Sequence, residues 1–181
     1  SQVWKYREDI RKMHKLQEQY LFLARHNIHS AEELVGTIAS LTDKKKETSA
    51  EKSRIYQARE RSRELFTAAD EMENLKPAEQ SYRLGDTFFE DEHRKWVALE
   101  QELQAQGYSL EEVQALRRHY KEEYSEVCAK EKVVFRELNT GKAILNSMIP
   151  DSISDGRKTE YNREIIRDRK EQPVSDMPPV K

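Results

Sequence analysis

The segment SAEELVGTIASLTDKKKETSAEKSRIYQARERSRELFTAADEMEN, residues 30–74, contains no proline. One residue in every three or four falls on the same side of a helix, and the steps between these positions alternate between four and three. The positions are Leu34, Ile38, Leu41, Lys45, Thr48, Lys52, Ile55, Arg59, Ser62, Phe66 and Ala69. This heptad spacing is typical of long helices that pair along their length. The segment therefore predicts one long α-helix, although the middle of its seam is polar.

A capping signal marks the start of this helix. Ser30 and Glu33 match the S-x-x-E capping box, in which the serine hydroxyl accepts from the amide of Glu33. The Glu33 carboxylate is expected to reach back to the amide of Ser30. A second box at Ser109 and Glu112 predicts another helix start.

Proline placement extends the helical prediction to most of the chain, because an interior proline costs a helix about 3 kcal/mol. Helices are predicted over about residues 2–26, 30–74, 87–106 and 109–148, with 76–86 as a connection and 150–181 as a flexible tail. The first helix carries an apolar seam of its own. This seam is Ile10, Met13, Leu16, Tyr20 and Leu23.

Helices of about 40 residues span roughly 60 Å, too long for a compact globule of this size. The prediction is an all-α fold, an elongated antiparallel hairpin of two long helices resembling a coiled coil. Shorter helices flank the hairpin, so residues 1–149 form one elongated helical domain.

Composition excludes several classes of protein. Charged and apolar residues each make up 36% of the 181 residues, and there are only five glycines. Collagen-like chains and flexible linkers need far more glycine. The sequence contains no run of about 18 apolar residues, so we expect no membrane insertion. The single cysteine, Cys128, fits a reducing compartment. The absence of an initiating methionine indicates a piece of a longer chain.

The net charge of −2 conceals a strong asymmetry. Residues 43–63 hold eight basic and four acidic side chains, a net of +4, whereas residues 86–112 hold eight acidic and two basic ones, a net of −6. The basic residues are candidates for contacting DNA phosphates, and such contacts do not depend on the base sequence of the DNA. They are Lys44, Lys45, Lys46, Lys52, Arg54, Arg59, Arg61 and Arg63. The alternatives are a solvated helix face, or a face that meets the acidic region of the same chain or of a second copy.

No residue pattern indicates catalysis, a metal site or a cofactor. His26 and His29 form the closest histidine pair, but a metal would need further ligands, so they are interpreted as turn residues. The other histidines, His14, His93 and His119, are interpreted as half-exposed surface residues. Glycine-rich phosphate loops and the zinc-protease motif are absent from the sequence. We therefore expect no enzymatic activity in this chain.

Two stretches resemble a known family. Residues 17–34, QEQYLFLARHNIHSAEEL, are similar to a segment of relaxases, the mobilisation proteins of bacterial conjugative and mobilisable elements. In those proteins a short helix, an Asn/Gly-Ile/Leu turn and a Ser-x-Glu-Glu-Leu start precede a long helix rich in lysine and glutamate. The runs His119–Tyr124, Ala129–Lys132 and Glu137–Leu138 resemble the second long helix. The likeness covers about residues 10–149.

The resemblance implies a non-catalytic C-terminal region of a relaxase in the bacterial cytoplasm. Relaxases nick DNA with a tyrosine and a metal-holding histidine cluster in their N-terminal domain, and this chain lacks that cluster. The implied partners are DNA, bound in a salt-sensitive and sequence-independent way, proteins of the transfer machinery, or a second copy of the chain. The alternative function is a structural coiled coil or protein-interaction module without DNA contact.

Overall fold

Five α-helices account for most of the chain in the computed structural model, which describes residues 2–149 and residue 163. They are α1 (Gln2–Arg25), α2 (Ala31–Arg61), α3 (Arg63–Arg83), α4 (Glu90–Ala105) and α5 (Leu110–Ser147), with a short 3₁₀ helix at Thr87–Phe89 before α4. The described residues contain no β-strand, which confirms the predicted all-α class. The tail predicted for 150–181 lies outside the described residues except for Arg163.

The helix predicted for 30–74 is wrong as a single element, because it is broken at Ser62. This residue has φ −93° and ψ 8°, and its amide donates to the carbonyl of Arg59, three residues back instead of four. The Ser62 hydroxyl also donates to the carbonyl of Ala58, at 3.3 Å. A serine that bonds the preceding turn in this way commonly perturbs a helix. The break divides the segment into α2 and α3.

The connection predicted for 76–86 is also wrong, because α3 continues through Pro77 to Arg83. Pro77 is exposed, and the buried Met72 and Glu79 lie within about one turn on either side of it. The burial of these two side chains and the hydrogen bonds of Glu79 favour a continuous helix, against the cost of about 3 kcal/mol for an interior proline. The connection shortens to residues 84–86, where Gly85 adopts φ +102°.

The two predicted capping boxes behave differently. At α5 both hydrogen bonds form, from the amide of Ser109 to Glu112 at 2.8 Å and from the amide of Glu112 to the Ser109 hydroxyl at 3.2 Å. At α2 the Ser30 hydroxyl accepts from the Glu33 amide as predicted, at 3.2 Å. The Glu33 carboxylate instead accepts from the amide of His29, at 2.6 Å, so the reciprocal bond predicted to Ser30 is wrong.

The helices divide into two compact units. Unit 1 combines the described residues of Ser1–Thr48 and Lys130–Lys181, and unit 2 is Ser49–Ala129. The core of unit 1 joins α1, the first part of α2 and the end of α5. Its buried members are Phe22, Ile28, Leu34, Val35, Ile38, Leu41, Leu138, Ile144 and Leu145.

Unit 2 has a separate core built from α3, α4 and the start of α5. Its buried members are Leu65, Ala68, Ala69, Met72, Trp96, Leu103 and Val113. Gly107 follows α4 with φ +85°, the left-handed conformation that is common for a glycine just beyond the C-terminus of a helix. None of the described helices has the length and apolar content needed to cross a membrane.

The seam predicted for α1 does not enter either core. Ile10, Met13, Leu16 and Tyr20 are all more than half exposed, and only Leu23 packs partly against the unit 1 core. The residue that anchors α1 is Phe22, which is fully buried. The expectation of one domain over 1–149 stays a prediction.

Candidate nucleic-acid interface

The predicted DNA-binding residues lie on α2 and at the first position of α3, and their side chains differ in surroundings. In unit 1, Lys44 and Lys46 are exposed, whereas Lys45 is half-buried and its ammonium lies 5.0 Å from the centre of the Phe135 ring. Phe135 belongs to α5. Lys45 therefore contacts an aromatic face of its own chain by a cation–π interaction.

Lys52 in unit 2 repeats this arrangement. Its ammonium lies 5.9 Å from the centre of the Tyr124 ring, also on α5. Lys45 and Lys52 are one heptad apart and both belong to the polar part of the seam. Long lysine stems cover apolar surface while their ammonium groups meet π faces. These contacts explain how the polar part of the seam accommodates Lys45 and Lys52.

A groove in unit 2 is lined by four cationic side chains. It has a volume of about 730 Å³ and lies beside the break at Ser62. We call it the unit 2 groove. Its lining comprises Tyr56, Arg59, Glu60, Arg63, Phe66, Thr67, Asp70, Arg117, Tyr120 and Lys121. Four cations and two carboxylates give this lining a net positive charge.

Arg117 organises one wall of the groove. Its Nη1 lies 2.6 Å from Oδ1 of Asp70, and its Nη2 donates to the carbonyl of Phe66 at 2.7 Å. The guanidinium carbon also lies 5.1 Å from the centre of the Phe66 ring. The Tyr120 ring meets Phe66 edge to face, with centroids 6.4 Å apart. These contacts fix Arg117 and satisfy its charge within the chain.

Two other cations of the groove lack such a partner. Among the described residues, no carboxylate lies within ion-pair distance of Arg59 or Lys121. Arg63 has one weak contact, 4.0 Å from Glu60, in an exposed pair. Tyr56 presents a half-exposed ring on the same lining. The groove therefore offers free positive charge next to an accessible aromatic face.

The remaining predicted residues are placed outside the groove lining. Arg54 and Arg61 are exposed on α2, and they share that helix with Arg59. The groove residues that the sequence prediction missed include three on α5, namely Arg117, Tyr120 and Lys121. They lie about 60 positions from Arg59, so only the fold reveals that they share a groove with it.

The two histidines of the pair have different contacts within unit 1. Nε2 of His26 lies 3.1 Å from Oε2 of Glu137, whose other oxygen lies 3.3 Å from Nε of Arg25. Nε2 of His29 lies 2.8 Å from the amide oxygen of Asn27, which adopts φ +52°. Across the described part of the chain, no group of three or more histidine, cysteine or acidic residues is arranged to hold a metal ion.

A buried carboxylate in unit 2 is the main feature that sequence reading missed. Glu79 is almost fully buried between Nδ1 of His93, at 2.7 Å, and Nε of Arg83, at 2.6 Å. Burial raises the pKa of this carboxyl, but the hydrogen bonds and charges of His93 and Arg83 outweigh that effect and hold the pKa below its ordinary value. His93 is partly exposed, at 30%, as predicted for a half-exposed surface residue, but its contact with Glu79 was not predicted.

Comparisons of this chain with protein-family models, with curated proteins and with solved structures gave no match.

Proposed function

We propose that this chain is a non-catalytic helical accessory region of a DNA-mobilisation relaxase, and that it contacts DNA during conjugative transfer. The observation that carries the DNA contact is the pair of unneutralised cations, Arg59 and Lys121, on the lining of the unit 2 groove. The relaxase assignment rests on the sequence resemblance alone. No catalytic residue, metal or cofactor forms part of the proposal.

The groove would bind the DNA backbone without making sequence-specific contacts to the bases. Arginine and lysine side chains release counterions when they neutralise phosphates, which gives affinity without sequence preference. Arg63 can join Arg59 because its contact to Glu60 is long and exposed. Arg117 is already paired with Asp70, so it shapes the groove wall and does not serve as a phosphate ligand.

The proposal retains the antiparallel pairing of the two long helices. Contacts inside each unit support it, because residues further along α2 meet residues earlier on α5. In unit 1, Ile38 of α2 lies near Gly141 of α5, and Lys45, further along α2, lies near Phe135, earlier on α5. In unit 2, Lys52 meets Tyr124, and Phe66, further along the chain at the start of α3, meets Arg117, earlier on α5. The bacterial cytoplasm is the proposed location.

Fluorescence anisotropy with a labelled DNA duplex tests the DNA contact, using the whole 181-residue chain. The variant R59E/K121E reverses both free cations, and we expect it to weaken binding at low salt at least tenfold. The slope of log K against log salt should become shallower by about 0.9 for each lost phosphate contact. A matched control is K95E/K142E, which reverses two exposed lysines outside the groove.

Two results would contradict the proposal. One is the absence of DNA binding by the wild-type chain at low salt. The other is an equal loss of binding in K95E/K142E, which would assign the effect to net charge and not to the groove. Either result would favour the alternative of a self-association or protein-interaction module.

A further inference from the structure

Helix α1 carries an apolar stripe that no described part of the chain covers. Beyond Trp4, six large apolar or aromatic side chains on it are between 51% and 70% exposed. We call them the α1 stripe, and they are Tyr6, Ile10, Met13, Leu16, Tyr20 and Leu21. Soluble monomers rarely expose a contiguous apolar surface of this kind without a function.

The stripe lies on the side of α1 that faces away from the unit 1 core. An α-helix turns by about 100° per residue, so Met13 and Tyr20 lie nearly opposite Phe22. Phe22 is fully buried and packs in the unit 1 core. The helix is therefore held on one side while its other side stays free.

We propose that the α1 stripe is a homotypic interface, on which α1 of a second copy docks in parallel to form a short two-stranded coiled coil. Tyr6, Ile10, Met13 and Tyr20 follow heptad spacing, with Gln17 filling the position between Met13 and Tyr20. A narrow seam of this kind suits a single helix with the same repeat. The inference is independent of the proposed DNA contact in unit 2.

The exposed area is in the range that a specific dimer needs. Side chains of this size and exposure present on the order of 100 Å² each, so six present on the order of 600 Å² per copy. Pairing two copies would bury on the order of 1,200 Å², the lower end of stable, specific interfaces. An interface of this size should dissociate reversibly, so we expect a monomer–dimer equilibrium that depends on protein concentration.

Charges beside the seam favour the parallel orientation. In a parallel pair Asp9 of each copy reaches His14 of the other, and Leu16 reaches Leu21, which widens the apolar seam. An antiparallel pair would place Arg7 of one copy beside His14 of the other. Such flanking charges contribute little affinity but select the orientation.

Sedimentation velocity on the full chain from 1 to about 200 µM tests the self-association. We expect the wild-type chain to pass from monomer to dimer, and M13E to raise the dissociation constant at least about 100-fold, because two carboxylates would face each other in the seam. Met13 is exposed, so circular dichroism should show unchanged helicity in M13E. The matched control is L84E, at a more exposed leucine away from α1, which should dimerise like wild type.

Disulfide trapping tests the orientation in a C128A background. The single variants Y6C and Y20C each oxidise to a covalent homodimer only if the same position of the two copies is face to face. Positions 6 and 20 lie about 21 Å apart along a helix, so a parallel pair cannot join position 6 of one copy to position 20 of the other. We expect both variants to cross-link and a mixture of the two to give no preferential Y6C–Y20C product.

Three results would overturn the proposal. They are a wild-type chain that stays monomeric over the whole range, dimerisation that M13E leaves intact, and preferential Y6C–Y20C cross-linking. A monomeric chain that sediments with vesicles of anionic lipid would assign the stripe to a lipid surface and would also overturn it.

Discussion

Nδ1 of His93 lies 2.7 Å from Oε2 of Glu79, whose side chain is only 3% exposed. An ionised carboxylate only accepts hydrogen bonds, so the histidine must donate from Nδ1. The imidazole is also stacked on the Tyr82 ring, with centroids 4.2 Å apart. Together with Arg83, these groups hold α4 against the end of α3 through a polar contact inside unit 2.

Removing the Glu79 charge should destabilise the protein. In E79Q the amide cannot accept from both His93 and Arg83 as the carboxylate does, so buried hydrogen bonding is lost. We expect the free energy of unfolding to fall by about 1–3 kcal/mol, measured by urea titration with circular dichroism. The control E71Q replaces an exposed glutamate of the same helix and should change stability by less than about 0.5 kcal/mol. Equal stability of the two variants would contradict the role assigned to Glu79.

The same carboxylate predicts a pH dependence. Because the pKa of Glu79 is lower in the folded chain than its ordinary value of 4.5, its stabilisation is fully present above about pH 4.5. This stabilisation is lost as the pH falls through the folded pKa. Urea titrations of wild type and E79Q from pH 7 to pH 3 should therefore show a difference that is constant at first and shrinks in acid. A difference that grows in acid would show that the direction is wrong.

Gly141 provides a packing test in unit 1. A Cβ at this position would lie 3.1 Å from both Cγ1 of Ile38 and Cζ of Phe22, closer than ordinary contact. We expect G141V to lower the unfolding free energy by about 1–3 kcal/mol through overpacking. The control K142V places the same β-branched residue at the adjacent exposed position, and it isolates the effect of helix propensity. Similar losses in both variants would refute the crowding argument.

The capping box of α5 gives a smaller effect. Ser109 accepts from the amide of Glu112 and its own amide donates to the Glu112 carboxylate. We expect S109A to lower the thermal midpoint by the equivalent of about 1 kcal/mol. The variant S109D retains an acceptor at the cap and should recover most of the loss. Failure of S109D to recover stability would argue against a capping role.

Local signals in the sequence predicted the helices where side chains contact their own backbone. The capping box of Ser109 and Glu112 is an example, because a cap depends on neighbours only a few residues away. The continuation of α3 through Pro77 was not predictable in this way. It depends on the packing of Met72 and on hydrogen bonds of Glu79 to His93, 14 positions away.

Periodicity has a similar limit. It correctly placed Ile10, Met13 and Tyr20 on one face of α1, but it does not report whether another helix covers that face. Periodicity also did not predict which helices line the groove. Arg117 meets Asp70 across 47 positions, a separation over which no heptad pattern carries information.

The bare backbone of Gly141 has a thermodynamic consequence for the opposite side of α1. Phe22 packs over this glycine, so the side of α1 that faces away from the stripe is part of the unit 1 core. A molecule that binds only the folded form of a surface shifts the unfolding equilibrium of everything joined to it. Occupancy of the stripe and the unfolding of unit 1 are therefore linked, because Phe22 joins α1 to the core beside Gly141.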